Sequence, residues 1–301
     1  MSVPQSSRAP HACDVLLPCV DGSPPTILDF LCARFPHLGR DVWRGRLETG
    51  AITDEAGNEV TTETAYRPKA RLQYYREVPA EPRIPFEETV VFQNADIVVA
   101  CKPHFLPVTP GGGHVNECLL YRLWARTGNR DLVPVNRLDR ETAGLVLFSA
   151  RPQSREAYYR LFRRGQINKV YAAIAAAPRN ADQREWLVED RIRQGPEWFR
   201  SAVTTGAVNA RTRIRLLEAR ERLARYEVEP LTGKRHQVRL HLCAIGAPIV
   251  NDWLYPELQP EPKTGFDRPL QLLAQRLMFE DPLTRQMFTF ESPRRLAAWP
   301  A

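Results

Sequence analysis

Downstream of residue 96, apolar positions gather into short runs of strand length rather than long helical stripes. Ile97-Val98-Val99-Ala100 is unbroken, the pattern of a buried strand, and Leu145-Val146-Leu147-Phe148 repeats it. Residues 224 to 229, Ala-Arg-Tyr-Glu-Val-Glu, alternate strictly, as do Arg213-Ile214-Arg215-Leu216. Strict alternation predicts a sheet with one wet face. Asn168 to Ala176 reads as a further strand, and helical spacing intervenes at about 115–125 and 155–163. Strands in consecutive groups with separate helices predict an α+β fold with a mixed, mainly antiparallel sheet rather than a doubly wound one. Upstream the pattern differs. Thr26 to Phe35 has helical spacing, a second short helix spans about 40–48 and is closed by Gly50, and strand character runs from Ile52 to a last segment at Arg71 to Tyr75. Between the two regions, Pro79, Pro82 and Pro85 block helix and central strand alike and predict a linker. The expected organisation is a small α+β module over 1–80 and a larger domain over 86–301.

Composition narrows the class. With 301 residues, 43% hydrophobic and 26% charged, the chain carries enough apolar material for a core and is not broadly disordered. It has no run of 18 apolar residues, and the first 25 residues lack the h-region of a signal peptide, so a soluble, cytoplasmic protein with no membrane partner is expected. The six cysteines, Cys13, Cys19, Cys32, Cys101, Cys118 and Cys243, show no Cys-x-x-Cys spacing and no nearby His pairing. They are expected to be reduced and mostly packed, with no metal bound. Net charge is +7, and Arg151, Arg155, Arg160, Arg163, Arg164 and Lys169 face the single acid Glu156. Such a balance suits a polyanion such as nucleic acid, although a solvated helix face has the same composition.

Chemistry concentrates in three segments. Asn136-Arg137-Leu138-Asp139-Arg140-Glu141-Thr142-Ala143-Gly144-Leu145 sets one carboxylate between two arginines. Nearby cations favour the ionised carboxylate, and guanidinium groups match phosphate geometry. A surface turn in which Asp139 only pairs with its neighbours has the same residues. Lys169-Val170-Tyr171-Ala172-Ala173-Ile174 places a tyrosine in a strand, alone no more than a half-buried aromatic. The third segment runs Leu231-Thr232-Gly233-Lys234-Arg235-His236-Gln237-Val238-Arg239-Leu240-His241. Its histidines lack the Glu of His-Glu-x-x-His and any third ligand.

In this order the segments resemble the motifs of the RluA-type pseudouridine synthases. The first is similar to His-Arg-Leu-Asp-x-x-Thr-Ser-Gly-Leu, with Asn136 for the usual His and Ala143 for the usual Ser. The second resembles the tyrosine-bearing strand motif. The third resembles Thr-Gly-Arg-x-His-Gln-(aliphatic)-Arg-x-His, with Lys234 for Arg, and continues through Gly246 to Asp252 as the family does. Leu270 to Ala274 with Phe279 to Thr284 resembles the family's C-terminal strand pair. The two short helices and small β element upstream, with Arg40, Arg44 and Arg46, resemble an S-four-type RNA-binding module, although Asp54 and Glu55 occupy its turn.

The resemblance implies a pseudouridine synthase fold and isomerisation of uridine in ribosomal or transfer RNA, with no cofactor. It implies that Asp139 acts at the ribose, at C1′ or on the C2′ proton, that Tyr171 stacks on the uracil, and that Arg239 holds Asp139 ionised and oriented. Arg137 is expected to fill the space of the flipped base or grip the backbone. Arg140, Lys234, Arg235, His236, Arg160, Arg163 and Arg164 are expected to contact RNA. A monomer is expected. Three other readings stay open: an inactive RNA-binding or RNA-chaperone relative; a carboxylate-pair hydrolase, for which no second acid stands out; and a purely structural basic protein, which leaves the three motifs unexplained.

Overall fold

In the computed structural model, which describes residues 7–8, 13–20, 22–36, 38–75, 77–78, 81–111, 114–178, 182–260 and 265–299, the chain divides into two compact units, Met1–Pro82 and Arg83–Ala301. The first unit contains β1 (Ser7–Arg8), β2 (Cys13–Leu16), α1 (Ile27–Arg34), α2 (Arg40–Glu48), β3 (Ile52–Asp54), β4 (Arg71–Tyr74) and β5 (Glu77–Val78). Its order β2-β4-β3 makes a three-stranded antiparallel sheet, and β1 pairs with β5. Leu28, Leu31, Trp43, Leu47 and Leu72 fill its core. Thr26 caps α1, its Oγ1 accepting the Asp29 N–H at 3.1 Å. The arginines of α2 are largely engaged within the unit. Arg40 pairs with Asp29 at 2.9 Å, Arg44 with Asp41 at 3.3 Å, and the Arg46 guanidinium lies 5.0 Å over the Trp43 ring.

The second unit contains β6 (Thr89–Gln93), β7 (Ile97–Lys102), α3 (Leu119–Thr127), β8 (Val133–Pro134), β9 (Ala143–Ser149), α4 (Pro152–Arg163), β10 (Asn168–Ala176), β11 (Glu185–Gln194), β12 (Ser201–Thr204), β13 (Ala210–Arg220), β14 (Leu223–Pro230), α5 (Gln237–Ala244), β15 (Leu272–Glu280) and β16 (Met287–Glu291). Among the described residues eleven strands form one mixed sheet, in the order β12-β11-β13-β14-β10-β15-β9-β7-β6, with β16 on β15 and β8 on β9. All pairs are antiparallel except β15 with β9. Every residue of β7 and β9 is buried because helices cover both faces. Val98, Ala100, Val146 and Phe148 pack with α3, and Ile97, Val99, Leu145 and Leu147 pack with α4. Further along, Ala224, Tyr226 and Val228 of β14 meet Val238 and Leu242 of α5, while Arg225 is exposed on the other face. The strict alternation there therefore reflects one helix-covered and one wet face.

Several expected boundaries shift. The helix expected over 115–125 begins at Leu119, where the N–H groups of Leu119 and Leu120 meet the Pro107 and Val108 carbonyls. The helix expected from 155 begins at Pro152, since proline at a first helical position sacrifices no intrahelical bond. The stretch from Phe279 to Thr284 leaves the strand after Glu280. The Asp281 carboxylate accepts the Leu283 N–H and the Thr284 hydroxyl, making a turn, and the strand that pairs with β15 is Met287–Glu291. Linker residues 79–80 and loop residues 112–113 lie outside the described residues, whereas Ile84 is built into the core, 1% exposed, with its N–H on Glu117 at 3.2 Å and its carbonyl accepting from Arg122 at 2.8 Å. Cys101 and Cys118 are buried, Cys32 and Cys243 are half-buried, and Cys19 is exposed. No helix among the described residues is long and apolar enough to cross a membrane.

Candidate active site

Asp139 stands in the turn that enters β9. Asn136 fastens the front of the turn, its Oδ1 accepting the Leu147 N–H at 2.8 Å, and the Thr142 N–H closes onto the Asp139 carbonyl at 3.1 Å. Gly144 follows with φ +118°, and a Cβ there would stand 2.3 Å from the Ala274 carbonyl oxygen, so only glycine lets β15 come this close. Under the turn lies Lys102, wholly buried, whose Nζ donates to the carbonyls of Pro103, Leu106 and Arg140 at 3.0, 2.6 and 3.0 Å. Burial pushes its ammonium down to about 7, yet only the charged form can serve all three acceptors.

The two arginines beside Asp139 in sequence are not the cations it pairs with. Arg140 turns to Glu141, with contacts of 2.8 and 2.7 Å, and Arg137 is exposed. The pairs of Asp139 run to the start of α5, where Arg239 Nη1 stands 3.6 Å from Oδ2 and His236 Nε2 stands 3.8 Å from Oδ1. Arg239 is 1% exposed and is gripped more tightly by Asp252, with Nε on Oδ2 at 2.7 Å and Nη2 on Oδ1, while its guanidinium lies 5.2 Å over the Tyr255 ring. Burial opposes that charge, but the Asp252 hydrogen bonds and charge, and then Asp139, hold the guanidinium above its usual range. Tyr255 also orders His236. The hydroxyl donates to the Ser201 carbonyl at 2.9 Å and accepts the Ser201 N–H at 2.7 Å, so at 2.8 Å from His236 Nδ1 it accepts from that nitrogen. Burial lowers His236 to about 4, which leaves a neutral ring with bare Nε2 toward Asp139.

Tyr171 enters from β10. A register shift between Val170 and Tyr171 opens the pairing with β15, and such bulges re-aim a side chain. Burial, and then the Asp139 charge, push its phenol above the ordinary value and keep it protonated. Gln237 ties the start of α5 to the sheet. Its amide donates to the Arg211 carbonyl and Thr212 Oγ1 and accepts from Thr232 Oγ1 and the Lys234 N–H.

A cavity of about 1310 Å³ brings together Asp139, Tyr171, Arg239, Arg137, Arg140, Lys234, Arg235 and His236. Arg160, Arg163 and Arg164 are not in its lining; of α4 only Phe162 is, and Arg163 pairs with Glu156. Arg235 has its two terminal nitrogens on the Trp198 and Phe199 carbonyls, at 3.0 and 2.8 Å. Sequence reasoning missed Asp252 as the main partner of Arg239, together with Tyr255 and Lys102. Asp252 was within the third segment's continuation, and an acid there that balances a buried arginine was the available signal.

The family described as RNA pseudouridylate synthase matches residues 96–244. The chain belongs to the RluA-type RNA pseudouridine synthases. A dual-specificity RNA pseudouridine synthase RluA of Pasteurella multocida is 30% identical over 213 residues, covering 68% of this chain and 92% of that protein. An uncharacterized RNA pseudouridine synthase of Synechocystis is 29% identical over 232 residues, covering 76% and 79%. Other curated relatives are longer, and the chain spans 60% or 61% of their length. The structure of human RNA pseudouridylate synthase domain containing 1 shares the fold, with a TM-score of 0.58 at 20% identity over 71% of this chain and 86% of that one.

Proposed function

We propose that the protein converts uridine in ribosomal or transfer RNA to pseudouridine, with Asp139 acting at the ribose, Arg239 orienting it and Tyr171 stacking on the base. The observation that carries this reading is the Asp139–Arg239 pair. A carboxylate 29% exposed to the cavity stands 3.6 Å from a guanidinium that is 1% exposed and locked by Asp252. The reaction balances within the substrate. The N1–C1′ bond breaks, the uracil turns, C5 bonds to C1′, the C5 proton leaves and N1 gains one. Asp139 either adds to C1′ or takes the C2′ proton. Its Oδ1 and the bare His236 Nε2 are two acceptors 3.8 Å apart, and a ribose hydroxyl of the substrate can donate to one of them. Tyr171, held as a phenol, serves as stacking surface and donor rather than as a standing base.

A base in a stack is out of reach, so the uridine is turned out into the cavity, and exposed Arg137 stands beside Asp139 to occupy the vacated place or grip the backbone. Lys234 and Arg140 hold phosphates at the rim. The smaller unit adds RNA contacts in the manner of an S-four-type module, and the enzyme works as a cytoplasmic monomer. Release of tritium from C5-labelled uridine RNA without added cofactor tests the activity. Asp139→Asn removes charge at constant size and should abolish release while RNA affinity stays within a few-fold; release near the parental rate would remove Asp139 from the chemistry.

A further inference from the structure

The connection between β11 and β12 carries an aromatic side chain that the isomerisation itself does not need. Trp198 is 70% exposed, and with Phe199, Trp253 and Leu258 it lines the cavity that holds Asp139. An exposed tryptophan on a mobile loop would mean little, but the backbone that carries this one is pinned. Arg235 donates to the carbonyls of both Trp198 and Phe199, and the Gly195 N–H bonds the Arg200 carbonyl at 3.0 Å across the tip. Trp198 meets Phe199 edge-on at 5.7 Å, and Phe199 in turn stacks on Trp253 at 6.4 Å and 27°. The far side is held as well. The Arg200 guanidinium lies 5.1 Å over the Tyr255 ring, and Ser201 shares the Tyr255 hydroxyl with His236. The loop is thus built onto the same residues that orient Asp139 and Arg239. An exposed indole carried on a pinned backbone costs less further entropy when a flat ligand covers it than one on a free loop. Arg137 and Lys234 line the same cavity and complement a polyanion.

We propose that Trp198 is a stacking platform for an unpaired base next to the uridine held at Asp139, so that the preferred RNA presents its target beside an unstacked neighbour. Bases stack on aromatic side chains in a sequence-tolerant way because every base has a π-face. This rests on the reading above for the position of the uridine, but the platform can be tested separately.

Binding isotherms of parent, Trp198→Ala and Trp198→Phe are measured on oligoadenylate and on a blunt RNA duplex of equal length. The alanine variant should weaken binding to the single strand roughly ten-fold, leave the duplex unchanged, and be rescued by phenylalanine. In a synthetic hairpin whose loop holds one C5-tritiated uridine, an abasic nucleotide beside that uridine should raise KM for the parent but not further for Trp198→Ala, with kcat within about two-fold throughout. Equal single-strand affinity of parent and alanine variant, equal losses on strand and duplex, or abasic and alanine effects that multiply would overturn the platform. A parent that releases no tritium yet shows the single-strand loss would sink the isomerase reading and leave the platform standing.

Discussion

Arg239 divides its charge unequally between two carboxylates, and the share given to Asp252 is the larger. Asp252 accepts two hydrogen bonds, from Nη2 and, at 2.7 Å, from Nε, against 3.6 Å for Asp139. Asp252→Asn should therefore draw Arg239 toward Asp139 and leave a buried cation under-compensated, costing about 3 kcal/mol of stability and, through misplacement of the carboxylate, roughly 10²-fold in turnover. Urea unfolding and single-turnover tritium release read the two effects, and a variant of parental stability would mean that Asp139 alone suffices to balance the cation. Protonation gives a second handle. Burial lowers His104 and His236 to about 4, against about 6.5 for free histidine. Between these values the unfolded chain binds protons that the fold refuses, so stability falls as pH drops from about 6.5 to 4, by about 1.4 kcal/mol per pH unit for each histidine. His104 Nδ1 stands 2.7 Å from the Glu141 carbonyl, a contact that an asparagine amide can reproduce. His104→Asn should lose less stability on acidification than the parent, by about one proton's slope across that window, and parallel urea midpoints against pH would refute it. At this scale the sequence showed the residues that meet, Asp139, Tyr171 and Arg239, because each stood in a dense local motif. The resemblance implied the Arg239–Asp139 pair, which adjacency alone would have hidden, because neighbours along a turn need not face one another: Arg140 went to Glu141 while Arg239, a hundred positions on, faces the carboxylate.

Elements were legible where burial was simple. β7, β9 and β14 announced themselves because their faces are uniformly covered or alternately wet. β11 and β12 were not expected, as their alternation is partial and Leu187 and Val203 are exposed. Their pairing with β13 and with each other, not local apolar content, makes them strands. The connection that carries Trp198 went unnoticed for the same reason. α4 shows how composition misleads about contact. Its basic run includes Arg163, which is bound to Glu156, while Arg160 and Arg164 are exposed away from the cavity lining. Changing Arg160, Arg163 and Arg164 together to Gln should flatten the log–log salt dependence of RNA binding by about 1.4, two phosphate contacts at roughly 0.7 each. Binding isotherms at several salt concentrations measure the slope. Unchanged slopes would place this helix outside the RNA path.

For the whole molecule, one contrast bears on how far the larger unit stands alone: Ile84 is buried in its core, while Phe86 is 37% exposed. A chain starting at Glu81 should express as a folded, soluble protein and retain turnover on a small hairpin, with weaker binding to long RNA. Circular dichroism and tritium release check it, and an aggregated product would show that the first unit completes the second. The order of the sheet adds a consequence in time. β15 lies between β9, which leads from Asp139, and β10, which carries Tyr171, and it touches Gly144 with no room for a side chain. Asp139, Tyr171 and Arg239 have all been synthesised before Leu272 exists, yet their two strands cannot take their places until that later strand slides between them. A nascent chain that has not reached residue 272 therefore lacks the strand that sets the turn of Asp139 beside the strand of Tyr171.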